Sequence, residues 1–105
     1  MSNFITLDKL KTKDALEGAT VSFFQTDYQT VGYTVMKAGA EVPLHQHPQE
    51  AIDIVLEGML QMTIGESTGI LIRGMTSFVP SNVPHTAKAI TDCKVITILH
   101  PQRKI

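Results

Sequence analysis

Apolar positions come in short runs separated by turn-forming residues along most of the chain. After Gly18 the runs are about four to eight residues long and are rich in β-branched and aromatic side chains. None has the three-to-four-residue spacing of an amphipathic helix. Many short strands at this spacing predict an all-β sandwich or small barrel. The runs are ATVSFFQTD, TVGYTVMKAG, EAIDIVLEG, MLQMTIGE, GILIRG, TSFVP, HTAKAI and CKVITILHP.

Turn-forming residues also predict how the strands are connected. Gly58 separates two predicted strands, GEST around Gly65 predicts a hairpin, and PSNVP predicts a tight loop. Residues 1–17 lack a continuous pattern, and we expect a short irregular arm packed outside a barrel formed by residues 18–103. Since 105 residues is the length of one domain, we expect a single domain over residues 1–105.

Composition and charge restrict the classes of function. Hydrophobic residues make up 43% and charged residues 18% of the chain, which is a globular composition. The net charge of -1 and the scattered Lys and Arg residues argue against binding to nucleic acid or to an anionic membrane. No apolar run reaches the ~18 residues of a membrane span. The charged start lacks the apolar stretch of a secretory signal, and the single cysteine, Cys93, excludes an internal disulfide. These features favour a reducing cytoplasm.

Histidines in two distant segments predict a metal site. In GAEVPLHQHPQEAIDIVLEG, His45 and His47 would project to one side of an extended chain, about 7 Å apart, and could converge on one ion. Two surface histidines in a loop are the alternative. His85 strengthens the metal hypothesis, because Pro80 and Pro84 stiffen the chain before it. A side chain held rigidly in this way suits a metal ligand.

The two histidine segments resemble the paired sequence motifs of the cupins. The first motif reads G, five residues, HxH, three or four residues, E, six residues, G; the second reads G, five residues, PxG, two residues, H, three residues, N. The resemblance extends over roughly residues 32–103. It implies a double-stranded β-helix, a small jelly-roll barrel, with a metal held inside by three histidines and one carboxylate or amide. The matching positions are Gly39, His45, His47, Gly58, Gly74, Pro80 and His85.

The sequence departs from these motifs in both halves. Asn82 replaces a glycine, which is a natural exchange at a left-handed turn, and Ala89 replaces an asparagine. Ala51 stands where the carboxylate ligand is expected and cannot bind a metal. Glu50 is one residue off and would point to the other face of its strand, whereas Asp53 shares the inward face of Ala51.

Asp53 is therefore the predicted inward carboxylate of the barrel. Burying a carboxylate is costly unless it is paired or bound to a cation. Near three histidines it could reach the metal, accept a hydrogen bond from a histidine N–H, or act as a general base. The alternative is a position in a solvated barrel mouth.

Without a ligand at position 51, the expected metal ligands are His45, His47 and His85, completed by water. Three nitrogen ligands with open positions describe a catalytic site better than a closed structural one. Imidazole does not select one metal, so the expected cofactor is a divalent transition metal, Zn, Ni, Fe, Mn or Cu. The cupins, which the two segments resemble, include dioxygenases that hold iron with three histidines.

The C-terminal segment is similar to a small-cupin subgroup of pectin degradation, whose members open cyclic unsaturated uronates to linear keto sugars. The resemblance implies an aspartate and an aromatic residue on the last strand, and an arginine beyond it, that serve the substrate. The corresponding residues here are Thr97, Leu99 and Arg103, so only the arginine is kept. Arg103 could hold a carboxylate through two hydrogen bonds or could be a frayed terminal charge. His100 is interpreted as a surface or strand-end histidine.

The predicted outer face of one strand needs cover. Ile52, Ile54 and Leu56 alternate with the inward residues, and an uncovered apolar patch usually marks an interface. The arm or a second copy of the chain would supply this cover, and we expect a homodimer. The inner face is mainly aliphatic, which indicates a small, mostly apolar ligand.

Two functional hypotheses follow. In the first, the protein is a metal-dependent enzyme, either a dioxygenase or a lyase or isomerase, that acts on a small organic or sugar-acid-like substrate. Asp53 would transfer protons and Arg103 would orient an anionic group. In the second, it is a non-catalytic module that binds a ligand or a metal, because the fold alone does not determine function.

Overall fold

Two antiparallel sheets face each other in the computed structural model, which describes residues 2–104. One sheet has six strands in the order β1-β2-β3-β10-β5-β8, and the other has four in the order β4-β9-β6-β7. This architecture confirms the predicted all-β jelly-roll barrel. The strands are β1 (Thr12–Leu16), β2 (Ala19–Gln25), β3 (Thr30–Met36), β4 (Glu41–His45), β5 (Glu50–Glu57), β6 (Leu60–Ile64), β7 (Ser67–Leu71), β8 (Thr76–Val79), β9 (His85–Ala89) and β10 (Cys93–His100).

Strand β5 shows how the alternating pattern builds the barrel. Ala51, Asp53 and Val55 are buried between the sheets, whereas Ile52 on the opposite face is exposed. Side chains of a strand point alternately to its two faces, so the sequence pattern determines which side faces the interior. The facing assigned to Ala51 and Asp53 from the sequence is therefore confirmed.

Tight turns occur where the sequence predicts them. Gly58 connects β5 to β6 with a positive φ of 89°, and Gly65 lies in the hairpin between β6 and β7. Asn82, in the loop between β8 and β9, has a φ of 60°. This is the left-handed conformation that its place in the second motif predicts, and asparagine tolerates it better than most residues do.

The N-terminal segment is more regular than expected. The prediction of an irregular arm over residues 1–17 is wrong for its second half, because Thr12–Leu16 forms β1 and pairs with β2. Before it, Leu7–Lys9 forms a 3₁₀ turn, and the Asp8 carboxylate accepts a 3.0 Å hydrogen bond from the Tyr33 hydroxyl on the outer face of β3. The part around Asp8 thus lies against the outer face of the barrel, whereas β1 belongs to the sheet itself, and its Ala15 and Leu16 line the interior cavity. Within residues 2–104, no helix is long and apolar enough to cross a membrane.

Candidate metal centre

Three histidine side chains meet at one end of the barrel. His45 ends β4 and His85 begins β9; the two residues are partners in the β4–β9 ladder, and their ring centroids are 4.1 Å apart. The His47 ring lies 4.9 Å from that of His85 and 5.6 Å from that of His45. One ring nitrogen from each residue lies within 4.8 Å of the others, which is close enough for one cation to be shared.

Backbone hydrogen bonds connect the two segments that carry the histidines. The Asn82 N–H donates to the His47 carbonyl at 2.8 Å, and the Ser81 hydroxyl donates to the Pro48 carbonyl at 2.6 Å. The left-handed turn at Asn82 makes this contact possible, and Pro84 then leads directly into β9 at His85. The PSNVP loop therefore fixes the position of His47 relative to His85.

The hydrogen bonds of the three rings leave one nitrogen of each available. The Nδ1 atoms of His45, His47 and His85 lie 2.8, 2.8 and 2.9 Å from the backbone carbonyls of Pro43, Gln49 and Val83. A carbonyl oxygen only accepts, so each Nδ1 carries the proton and each neutral ring keeps a lone pair on Nε2. This arrangement is typical of metal-binding histidines, in which the second nitrogen is held by a backbone or carboxylate acceptor.

Burial of His85 also fits a metal ligand. Its side chain is buried, whereas His45 and His47 are half-buried. Burial lowers the pKa of His85, and the neighbouring imidazoles of His45 and His47 lower it further, against the raising effects of the Val83 carbonyl and of Asp53. A lowered pKa keeps the ring neutral, as a metal ligand must be. The donor set thus fits a divalent transition metal.

Three further residues that the sequence brought into question supply no metal ligand. Ala51 is buried at the position where the motif carries its carboxylate. Glu50 is exposed, in agreement with the outward facing predicted for it. His100 is exposed at the end of β10 and is not part of the histidine cluster, as expected.

Asp53 lines the same cavity as the three histidines and is only 8% exposed. The Thr97 hydroxyl donates to its Oδ1 at 2.6 Å, and the Ser77 hydroxyl donates to its Oδ2 at 3.2 Å. Burial raises the pKa of Asp53, although the bonds from Thr97 and Ser77 and the nearby His85 and His47 lower it. The carboxylate is therefore oriented on both oxygens and has an increased affinity for a proton.

The interior cavity has a volume of about 260 Å³ and lies between the two sheets. Its walls are mostly apolar, and its polar lining residues are the three histidines, Thr34, Asp53, Thr97 and Arg103. The flexible, apolar side chains of Met36 and Met62 are among the residues that line it. A concave apolar site with a few convergent polar groups is the usual form of a small-molecule site.

Arg103 also lines this cavity, although it lies beyond the last strand. Its backbone is not frayed: the Arg103 N–H donates to the Thr30 hydroxyl at 2.9 Å, and its carbonyl accepts from the Gln25 side chain at 2.6 Å. Of the two alternatives drawn from the sequence, a frayed terminal residue does not describe the main chain of Arg103, although its side chain is exposed.

The sequence alone did not reveal the residues that hold Asp53 and Arg103 in place. Thr30 and Ser77 lie inside strands where a threonine or serine has no distinctive spacing. The only signal in the sequence was a hydroxyl residue in each predicted strand, and the sequence alone does not show that Thr30 is buried and Ser77 is half-buried. Buried hydroxyls need a hydrogen-bond partner, and here the partners are distant in sequence.

Comparisons with known proteins agree with this fold. A family profile described as "Cupin domain" matches residues 32–99. The H2HPP isomerase of Bacillus subtilis is 40% identical over 55 residues, which cover 51% of this chain and 23% of that protein. The chain thus spans about a quarter of the length of that relative.

Solved structures resemble almost the whole chain. An RmlC-like cupin from Shewanella frigidimarina superposes with a TM-score of 0.90 at 22% identity, over 99% of this chain and 95% of that one. KdgF from a Halomonas species gives a TM-score of 0.90 at 21% identity, over 99% and 97% of the two chains. At these levels of sequence identity, the similarity supports a shared fold alone.

Proposed function

The chain belongs to the cupin family, and we propose that it is a metal-dependent enzyme that moves a proton within a small, carbonyl-containing organic acid. His45, His47 and His85 would hold the metal, Asp53 would transfer the proton and Arg103 would bind the acid group. The observation that carries this proposal is the position of a buried, doubly hydrogen-bonded carboxylate in the same cavity as three convergent imidazoles.

The bound metal would supply Lewis acidity towards a carbonyl or hydroxyl oxygen of the substrate. Asp53 would accept a proton from a carbon next to that carbonyl and return it to another carbon, so that the net reaction is an isomerisation. A raised pKa suits this role, because a base with a pKa nearer to the working pH can both accept and return a proton. The apolar walls would exclude water and protect the deprotonated substrate.

The reaction class has support from the comparisons. A relative of known activity is an isomerase, over about half of this chain. The sequence similarity to uronate-opening cupins favours a sugar-acid-like substrate, whereas the mostly apolar cavity favours a less hydroxylated acid. An acid with a carbonyl and few hydroxyl groups meets both conditions.

Elemental analysis of protein purified without a histidine tag tests the metal centre. We expect about one transition-metal ion per chain in the wild-type protein and its loss in His85→Ala. His100→Ala is the matched control and should keep the metal, because His100 lies outside the cluster. Equal metal content in the two variants would disprove the assignment of the ligands.

Exchange of carbon-bound hydrogen with deuterium tests the chemistry before the natural substrate is identified. In D2O, the metal-loaded protein should exchange the C3 hydrogens of simple 2-oxo acids faster than solvent does, as followed by proton NMR. Asp53→Asn should remove this exchange while the metal stays bound. Ring opening of an unsaturated uronate, followed by ultraviolet absorbance, tests whether the substrate is a sugar acid.

Two further outcomes would identify the alternative functions. Consumption of O2 by the iron-loaded protein with diketones or thiols would identify a three-histidine dioxygenase. A metabolite that raises the melting temperature, with no turnover in any of these assays, would identify a binding module.

We also propose a homodimer in a reducing, cytoplasmic setting. The outer face of the six-stranded sheet carries Ile52 and Phe78, which are 40% and 53% exposed and are partners in the β5–β8 ladder. The N-terminal segment covers Tyr33 of the same sheet but leaves this pair accessible. A second copy of the chain is the proposed cover.

A further inference from the structure

The C-terminal residues 101–103, here called the strap, fold back from β10 against β2 and β3. Gln102 donates from its side chain to the Thr26 carbonyl at 2.9 Å. Arg103 uses both of its main-chain polar groups, with its N–H bonded to Thr30 and its carbonyl to Gln25. Two consecutive residues of the strap are thus fixed to the barrel by hydrogen bonds.

Thr30 is the centre of this attachment. It is fully buried, and its Oγ1 accepts from the Gln25 amide at 2.8 Å and from the Arg103 N–H at 2.9 Å. The same hydroxyl lies 3.3 Å from the Arg103 carbonyl, to which it donates. A buried hydroxyl without partners would be destabilising, so the hydrogen bonds to the strap and to Gln25 account for a threonine at this position.

The attachment places a cation at the wall of the cavity. Arg103 and Leu99, the β10 partner of Thr30, both line the interior. Within residues 2–104 the ion pairs are Lys88–Glu41 and Lys94–Glu57, so the guanidinium of Arg103 has no carboxylate partner there. Arg103 has a fixed main chain and an exposed side chain beside a mostly apolar cavity, and an unpaired guanidinium there is suited to an anionic group of a ligand.

We propose that Thr30 is a positioning residue for Arg103, and that the strap is a fixed wall of the site that selects ligands carrying a carboxylate. This inference rests on the proposed function, because it names the residues from which the proposed preference for an acid substrate would arise. Gln25 supports the same geometry by bonding both Thr30 and the Arg103 carbonyl.

Benzoate and benzamide are suitable probes, because they have nearly the same shape and differ in charge. Their dissociation constants would be measured by NMR titration of the zinc-loaded full chain, and the charge preference is the ratio of the benzamide constant to the benzoate constant. We expect a ratio of about ten or more in the wild-type protein, since hydrogen bonds to charged groups are the stronger ones. Arg103→Gln should lower the ratio about tenfold, leaving any preference that zinc itself supplies.

Thr30→Val keeps the shape of the side chain and removes the hydroxyl, and it should lower the ratio as Arg103→Gln does. The double variant should show no further fall, because the two residues act as one unit. Thr30→Ser should restore the preference. Thr20→Val is the matched control, because Thr20 lies on β2 outside the interior cavity and should keep the wild-type ratio.

Hydrogen exchange at the Arg103 amide gives a second readout, and it should become faster in Thr30→Val because that amide loses its acceptor. If Thr30→Val does not fold, Gln25→Leu replaces it and should give a smaller fall in the same direction. A wild-type ratio retained in Thr30→Val and lost in Arg103→Gln would overturn the positioning role. Equal affinity of the wild-type protein for both probes, or no affinity for either, would overturn the charge selection.

The two proposals fail in different ways. If the strap proposal alone is wrong, the wild-type protein still binds zinc, loses it in His85→Ala, and exchanges the hydrogens of 2-oxo acids in a reaction that Asp53→Asn removes. If the proposed function is wrong, zinc binding is insensitive to His85→Ala or no carbon-bound hydrogen exchanges, whatever the charge preference is.

Discussion

Thr97 faces Asp53 directly across the β5–β10 ladder and donates a 2.6 Å hydrogen bond to its Oδ1. The pair lies inside the barrel, on the wall of the cavity that the three histidines line. With Ser77 on the other oxygen, the carboxylate has a fixed orientation in mostly apolar surroundings. Polar groups held fixed in apolar surroundings are typical of functional sites, where they lower the stability of the fold and serve binding or catalysis.

Asp53→Asn should raise the thermal stability of the metal-free protein at pH 8. Burial raises the pKa of Asp53, so the folded state holds its proton more tightly than the unfolded chain does, and the charged form destabilises the fold. The amide keeps an acceptor for Thr97 and removes the buried charge. Each kcal/mol gained should raise the melting temperature by roughly 4–8 °C. Circular dichroism on heating measures the shift.

The gain in thermal stability of Asp53→Asn should disappear at acidic pH. A group with a raised pKa contributes its full stability below the unfolded-state value, about 3.9, and loses it as the pH rises through the folded-state value. The difference in melting temperature between Asp53→Asn and the wild-type protein should therefore become smaller as the pH falls towards 4. The exposed Asp27→Asn is the control and should show no such trend. A lower melting temperature for Asp53→Asn at pH 8 would contradict the prediction.

Metal binding should stabilise the fold through the two segments that the histidines connect. Zinc at about a hundred times its dissociation constant should add about 2.7 kcal/mol to the free energy of unfolding. His45→Ala should abolish this gain, because it removes one of three ligands at the β4–β9 pair. Urea unfolding with zinc and with a chelator measures both values. An equal gain in His45→Ala would place the metal elsewhere.

Much of the barrel and of the histidine cluster could be predicted from the sequence. Strand periodicity is local, so the inward facing of Asp53 and the outward facing of Ile52 follow from alternation alone. The turn at Asn82 and the meeting of His47 with His85 follow from the spacing of two motifs. These features are determined by neighbouring residues or by a pattern with fixed lengths.

The remaining features depend on contacts that no local pattern encodes. Strand β1 has four exposed residues out of five, so pairing with β2 and not an apolar alternation defines it. The bond between Thr30 and Arg103 joins residues 73 positions apart. The pairing of Thr97 with Asp53 depends on the register of β10 against β5, which a one-residue slip would change.

Gly58→Ala should be strongly destabilising. Gly58 has a φ of 89°, and an added Cβ would lie 2.0 Å from the Asp92 carbonyl oxygen. Gly39→Ala is a matched control, because its φ is 91° and an added Cβ there would meet nothing within 4 Å. The control should lose about 1–2 kcal/mol from backbone strain, and Gly58→Ala should lose at least about 2 kcal/mol more from the clash. Similar midpoints of urea unfolding for the two variants would contradict the steric argument.

Phe78→Asp should weaken self-association if a second copy covers the outer face of the six-stranded sheet. Phe78 and its ladder partner Ile52 are both exposed, and a carboxylate placed among them would have to be desolvated in the dimer. We expect the dimer dissociation constant, measured by analytical ultracentrifugation, to rise at least about tenfold, which corresponds to about 1.4 kcal/mol.

Leu44→Asp is the control, because Leu44 is 70% exposed on β4 of the other sheet and lies away from this face. The wild-type protein and Leu44→Asp should remain dimeric at concentrations where Phe78→Asp is monomeric. A wild-type protein that stays monomeric at all accessible concentrations, or dissociation caused by Leu44→Asp alone, would show that this face has another role.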